Sequence, residues 1–111
     1  MTPKETRQET LSRVTRELGA GIRSQANRRW GTTRTAHRNE GRRHVWRFSS
    51  ANDGVERFLH VPHRVMVGGG NAAETLMAQL GAAKWLDRIQ EGPETSFLLS
   101  SSGRLKAWSP S

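Results

Sequence analysis

The stretch from Val55 to Gln90, VERFLHVPHRVMVGGGNAAETLMAQLGAAKWLDRIQ, constrains the fold more than any other part of the chain, because an extended run passes through three glycines into a helix. Val55, Arg57, Leu59 and Val61 alternate with Glu56, Phe58 and His60, and Val65 and Val67 resume the alternation after Pro62. Period two of this kind predicts one strand or two short ones. Gly68-Gly69-Gly70 then end the strand, and Asn71 stands where a helix N-cap belongs, with Glu74 placed to complete a capping box. Ala73, Leu76, Leu80, Ala83, Leu86 and Ile89 fall on one helical stripe, and Gly92-Pro93 stops the helix. Ala78, Gly81 and Ala82 form a small-residue flank that would let another backbone approach.

The residues on either side supply the partners of this core. Leu11, Val14, Leu18 and Ile22 recur at three and four, so residues 1–27 read as a basic amphipathic helix, with start signals at Thr2-Pro3 and Thr6 and a middle weakened by Gly19 and Gly21. Such a helix can dock on its own sheet or a dimer mate, lie on an anionic membrane, or serve as a targeting peptide. Glu5, Glu9 and Glu17 argue against the last two. His44 to Phe48 alternates again, and Asn52-Asp53-Gly54 signals a turn, so this segment and Val55–Val61 form a hairpin. His44, Trp46 and Phe48 share a face that reads as core, which leaves Arg47 on the open face, beside Arg57 of the next strand. Thr95 to Leu99 and Arg104 to Trp108, around Ser101-Ser102-Gly103, form a second hairpin that points Arg104 and Lys106 the same way. The expected class is α+β: an N-terminal helix, then β-hairpin, helix and β-hairpin, with the helices on one face of an antiparallel sheet. The expected division is a basic helix and arm over 1–43 and a small α+β core over 44–109.

With 111 residues, only 33% of them apolar, the chain has room for one modest core, which a homodimer would reinforce. The absence of cysteine removes disulfides, thiolate zinc sites and thiol nucleophiles. No long apolar run is present, so the expectation is a soluble, cytoplasmic protein that does not engage a membrane.

Charge placement says more than charge total. Residues 1–47 carry twelve Lys and Arg against four Glu, while residues 48–111 carry six of each sign, so the whole excess of +8 lies ahead of the core. Fifteen of the eighteen cations are arginine, whose planar fork matches phosphate and stacks on bases. Codon bias could favour arginine over lysine, but it does not confine the excess to one end. The run Arg28-Arg29-Trp30-Gly31 through His44 has no apolar period and is dense in donors, so it reads as a loop or arm. Arginines with interleaved tryptophan suit a nucleic-acid surface, since cations neutralise phosphate and an indole face can stack on a base. The plainer alternative is a solvated linker with Trp30 tucked into the core.

Chemistry beyond binding finds little support. His60 and His63 are three apart on a strand broken by Pro62, a spacing that does not converge two imidazoles, and no cysteine completes a metal set. Asp53, Glu56, Glu74 and Asp87 are scattered and have structural roles in turn, cap and helix surface. The glycine run could cradle an anion at a helix start but lacks the Lys-Ser/Thr of a nucleotide loop. No enzyme activity, cofactor or metal is expected.

Arg57-Phe58, then Val61, Val65 and Val67, the glycine run, and Thr75-Leu76 leading into a helix resemble the late hairpin–glycine–helix segment of the tombusvirus silencing suppressors, over about thirty-five residues with a short gap. That resemblance implies a homodimer whose sheets join into a concave platform over short double-stranded RNA, with a tryptophan capping the duplex end. Trp30 is the position that could match the cap, although the family has two closely spaced tryptophans there and this chain has one.

Residues and resemblance together lead to one expectation: a small, non-enzymatic protein binding RNA without sequence preference, with double-stranded RNA as the partner. Arg28, Arg29, Arg34, Arg38, Arg42, Arg43, Arg47 and Arg57 would meet phosphates and 2′-hydroxyls, and Trp30 would stack. The alternative is a protein–protein interaction module whose basic arm docks on an acidic partner.

Overall fold

The structure is a computed structural model, and it describes residues 6–31, 33–50, 54–67, 71–91 and 95–107. The first helix, α1, spans Arg7–Trp30. It opens on a capping box: the Thr6 hydroxyl accepts from the Glu9 amide at 3.1 Å and the Glu9 carboxylate accepts from the Thr6 amide at 3.3 Å. It closes at Gly31, whose φ of 80° lies where only glycine is unstrained. Its buried residues, Thr10, Val14, Leu18, Ile22, Ala26 and Trp30, recur every four positions. Four residues overshoot a 3.6-residue turn by about 40°, so the buried stripe winds around the helix and follows a twisted sheet.

Five strands form one sheet in chain order: β1 (Thr33–Asn39), β2 (Arg43–Ser50), β3 (Glu56–Pro62), β4 (Ser96–Leu99) and β5 (Leu105–Ala107). β1, β2 and β3 form an antiparallel meander, β3 and β4 run parallel, and β4 and β5 close an antiparallel hairpin. The sheet is therefore mixed rather than wholly antiparallel. A parallel neighbour requires a crossover, and the helices α2 (His63–Met66), α3 (Ala72–Ala82) and α4 (Trp85–Glu91) supply it.

One face of the sheet carries His44, Trp46, Phe48, Arg57, Leu59, Val61, Phe97, Leu99 and Leu105, all buried. With Val14, Leu18, Ile22, Met66, Leu76, Leu80, Trp85 and Ile89 from the helices, these apolar side chains make a single core. Each fully buried aliphatic or aromatic side chain contributes roughly 1.5–3 kcal/mol. Two polar contacts fix α4: Trp85 Nε1 donates to Gln25 Oε1 at 2.8 Å, and an Arg88 guanidinium nitrogen donates to the Leu105 carbonyl at 2.6 Å.

The structure corrects several expectations. The N-terminal helix does not stop near residue 27, and residues 28–43 are not an arm. Residues 28–31 and 33–43 are instead the last turn of α1 with its C-cap, the edge strand β1, the β1–β2 turn and the first residue of β2. The alternation at Val65 and Val67 is not strand: Pro62, which has no amide to donate, ends β3 and caps the one-turn α2, burying Met66. The expected long helix is two, split at Ala83-Lys84, where Lys84 takes φ 53°. Asn71 does cap α3, but its side chain makes no capping bond. Gly81 has open space where a Cβ would stand, so the small-residue flank receives no neighbour; the close approach lies instead at Gly21, against Met77. Gly68-Gly69-Gly70, the turn at Asn52-Asp53 and Trp108 lie outside the described residues.

Candidate nucleic-acid interface

Strand period and register decide where each arginine points. Residues paired across neighbouring strands share a face, and the pairs Arg34↔Ser49, Ala36↔Arg47, Arg38↔Val45, Arg47↔Phe58 and Val45↔His60 all lie opposite the helix layer. Leu98 and Lys106 continue that open face on β4 and β5. Arg34 and Arg38 form one row on β1, and Arg43 and Arg47 a second on β2. Within a row the side chains stand about 13 Å apart, and the rows about 5 Å apart. Arg42 projects from the turn between them and is exposed.

Three of them, Arg38, Arg43 and Arg47, wall a basin of about 520 Å³ lined also by Glu40, Val45 and Phe58 among others. Val45 is buried although it is on the open face, and Phe58 is half-buried. Long arginine stems cover apolar floor while keeping their charged heads in water. His60 also lines the basin; burial, and then the charge of Arg43, push its pKa below the ordinary value, so it is neutral at pH 7. A neutral imidazole, an aromatic edge and several guanidinium groups suit sugar hydroxyls and phosphates.

The open face is partly self-neutralised. Glu40 reaches Arg38 at 3.7 Å and Arg43 at 3.4 Å, and Glu56 reaches Arg47 at 3.8 Å. Among the described residues Arg34 has no acidic partner. Two carboxylates against four guanidinium groups leave half the charge uncancelled. Pairs this exposed contribute at most about 1 kcal/mol each, so an incoming phosphate can displace them.

Not every expected residue reaches this surface. Arg28 and Arg29 sit on the last turn of α1, on the helix layer, where Arg28 contacts Ser24 at 3.4 Å and Arg29 pairs with Asp87 of α4 at 2.6 Å. Trp30 is core: it is 6% exposed, stacks on Phe48 at 5.8 Å, and has the Arg57 guanidinium 5.0 Å from its ring centroid. Arg57 is likewise 6% exposed and lies on the helix side of the sheet, not beside Arg47. The cations ahead of the core thus divide between two surfaces, and Trp30 and Arg57 leave the interface altogether. Phe58 and His60 join it, and alternation was the signal that could have found them, since Glu56, Phe58 and His60 oppose the buried Arg57, Leu59 and Val61.

Among the described residues no cluster of His, Cys, Asp or Glu is arranged to hold a metal ion, and no helix is long and apolar enough to cross a membrane. Comparison with protein-family models, with curated proteins and with solved structures gives no match.

Proposed function

We propose that this protein binds RNA through the open face of its sheet, tolerating sequence and preferring duplex. The observation that carries the reading is the placement, by strand register alone, of Arg34, Arg38, Arg43 and Arg47 in two rows on one face. Duplex RNA offers a wide, shallow minor groove edged by phosphates and 2′-hydroxyls, which a sheet face bearing flexible arginines can cover without reading bases. Among the described residues Trp30, Trp46 and Trp85 are all buried and none is placed to cap a duplex end, so the proposed mode is side-on and insensitive to duplex length. The test is a mobility-shift comparison of single- and double-stranded RNA and DNA with the wild type and with Arg38, Arg42, Arg43 and Arg47 changed to alanine. The variant should lose most affinity for duplex RNA while remaining folded; unchanged binding rejects this face.

One observation favours a second reading. Arg38, Arg43 and Arg47 each pair with a carboxylate in the structure, the group an acidic protein surface would offer. Purification with nuclease treatment separates the two: an RNA-binding protein loses its bound material, whereas a protein partner stays.

A further inference from the structure

At the edge of the sheet three imidazoles form a chain. His37 Nε2 lies 2.8 Å from His44 Nδ1, and His44 Nε2 lies 3.0 Å from His63 Nδ1. The ring centroids are 5.0 and 5.3 Å apart, with interplanar angles of 14° and 15°. Those separations match one N···N contact plus two ring radii, so the rings meet edge to edge and nearly in one plane, not face over face. His44 is buried, His63 is half-buried and His37 is exposed. Among the described residues, neither outer nitrogen, His37 Nδ1 or His63 Nε2, has a hydrogen-bond partner.

Counting hydrogens limits what the chain can do. Each N···N contact holds one hydrogen, so three neutral imidazoles place two hydrogens in the contacts and leave one for the two outer nitrogens. One end is then an acceptor and the other a donor, and shifting hydrogens along the chain exchanges these roles. One added proton fills both ends without breaking a contact. A second has no place, because it would set two N–H groups against each other. Burial, with the adjoining His37 and His63, pushes the pKa of His44 down to about 4.

His37 stands where two basic surfaces meet. It borders the open-face basin and also a groove of about 300 Å³ between α1 and the β1 edge, where Arg16, Arg23, Thr15 and Thr35 surround Trp46. Arg16 and Arg23 lie two turns apart on one side of α1, both exposed, and no carboxylate is among the described residues lining the groove. Thr35 Oγ1 is buried there without a hydrogen-bond partner.

We infer that this groove is a phosphate site in which Arg16 and Arg23 supply the charge and the imidazole chain allows His37 to present Nδ1–H to the anion. The chain meets that demand by moving its one outer hydrogen to His37, leaving His63 Nε2 as an acceptor, and no proton need be taken from solvent. The inference extends the RNA reading and rests on it for RNA as the source of the phosphate: the backbone would pass from the open face over the β1 edge to α1.

The test uses the full chain labelled with ¹⁵N-histidine, in phosphate-free buffer, titrated with inorganic phosphate in one arm and a short RNA duplex in the other. His37 Nδ1 should move to the protonated-nitrogen range and His63 Nε2 to the unprotonated range. Arg16→Gln with Arg23→Gln should abolish the shift and lower the log–log salt slope of RNA binding by about two, at about 0.9 per lost phosphate contact. Arg43→Ala with Arg47→Ala, which strikes the open face, should leave the phosphate-driven shift in place. A response to RNA alone assigns the site to backbone phosphate, and a response to inorganic phosphate alone assigns it to small phosphate ligands. Histidine signals of the folded protein that move with neither overturn the inference, whatever the open-face variant does to RNA binding.

Discussion

Trp30 separates a core residue from a base-stacking one, and its replacement gives the two roles opposite signatures. Its ring stacks on Phe48 at 5.8 Å with a 20° interplanar angle, carries the Arg57 guanidinium on its face at 5.0 Å, and is almost wholly buried. Trp30→Ala removes a large side chain from packed surroundings and leaves Arg57 over a void, a change that costs about 3–5 kcal/mol. Domains of this kind are stable by roughly 5–15 kcal/mol, so the loss is a large fraction of the whole. Trp30→Phe keeps a ring for both neighbours and should cost about half as much or less. Urea unfolding followed by circular dichroism, without RNA, reads both effects. With a slope of about 1–3 kcal/mol per molar urea, Trp30→Ala should lower the midpoint by more than 1 M. Trp30→Phe, measured while folded, should bind RNA as the wild type does. A Trp30→Ala midpoint within experimental error of the wild type, or a stable Trp30→Phe protein that loses RNA affinity tenfold, refutes the core assignment.

Other perturbations have signs that follow from geometry. Gly81→Ala should stabilise by about 0.5–1 kcal/mol in thermal unfolding, because Gly81 is helical and nothing stands within 4 Å of an added Cβ. Lys84→Gly should also stabilise, by about 1 kcal/mol, by relieving φ 53° at the α3–α4 break. His44 has its pKa lowered from 6.5 to about 4, so the unfolded chain binds this proton more readily than the folded one. Its stabilising contribution is complete above about pH 6.5 and is lost as pH falls towards 4, by up to about 3 kcal/mol. Urea midpoints measured across that range should fall in the wild type and flatten in His44→Phe; parallel curves would show that another group carries the acid sensitivity.

The readable parts of the sequence were those where burial imposes a period. The α1 stripe of Val14, Leu18 and Ile22, the alternation of Trp46 and Phe48 with Arg47, and the Leu76, Leu80 and Ile89 face all reappear as core. β1 has no legible period because Thr-Arg-Thr-Ala-His-Arg-Asn is an edge strand that buries almost nothing, so pairing with β2 rather than hydrophobicity defines it. The parallel β3–β4 contact depends on where a crossover returns, which no local pattern encodes. For the interface, alternation places Arg47 on the open face, whereas Arg57 is not legible because a cation on the core side contradicts the usual pattern. It is tolerated there with its guanidinium lying on the Trp30 ring. The His37–His44–His63 chain joins β1, β2 and α2, residues far apart in sequence, and only the tertiary fold brings it together.

The central claim is that the open sheet face holds a polyphosphate by charge. The most direct measurement is the affinity for an RNA duplex between about 50 and 200 mM salt, compared with the variant carrying alanine at Arg38, Arg42, Arg43 and Arg47. Six or more phosphate contacts predict a fall of about a thousandfold or more for the wild type, and a log–log slope lower by three to four in the variant. A flat salt response in the wild type, or equal slopes in the two proteins, would contradict the account.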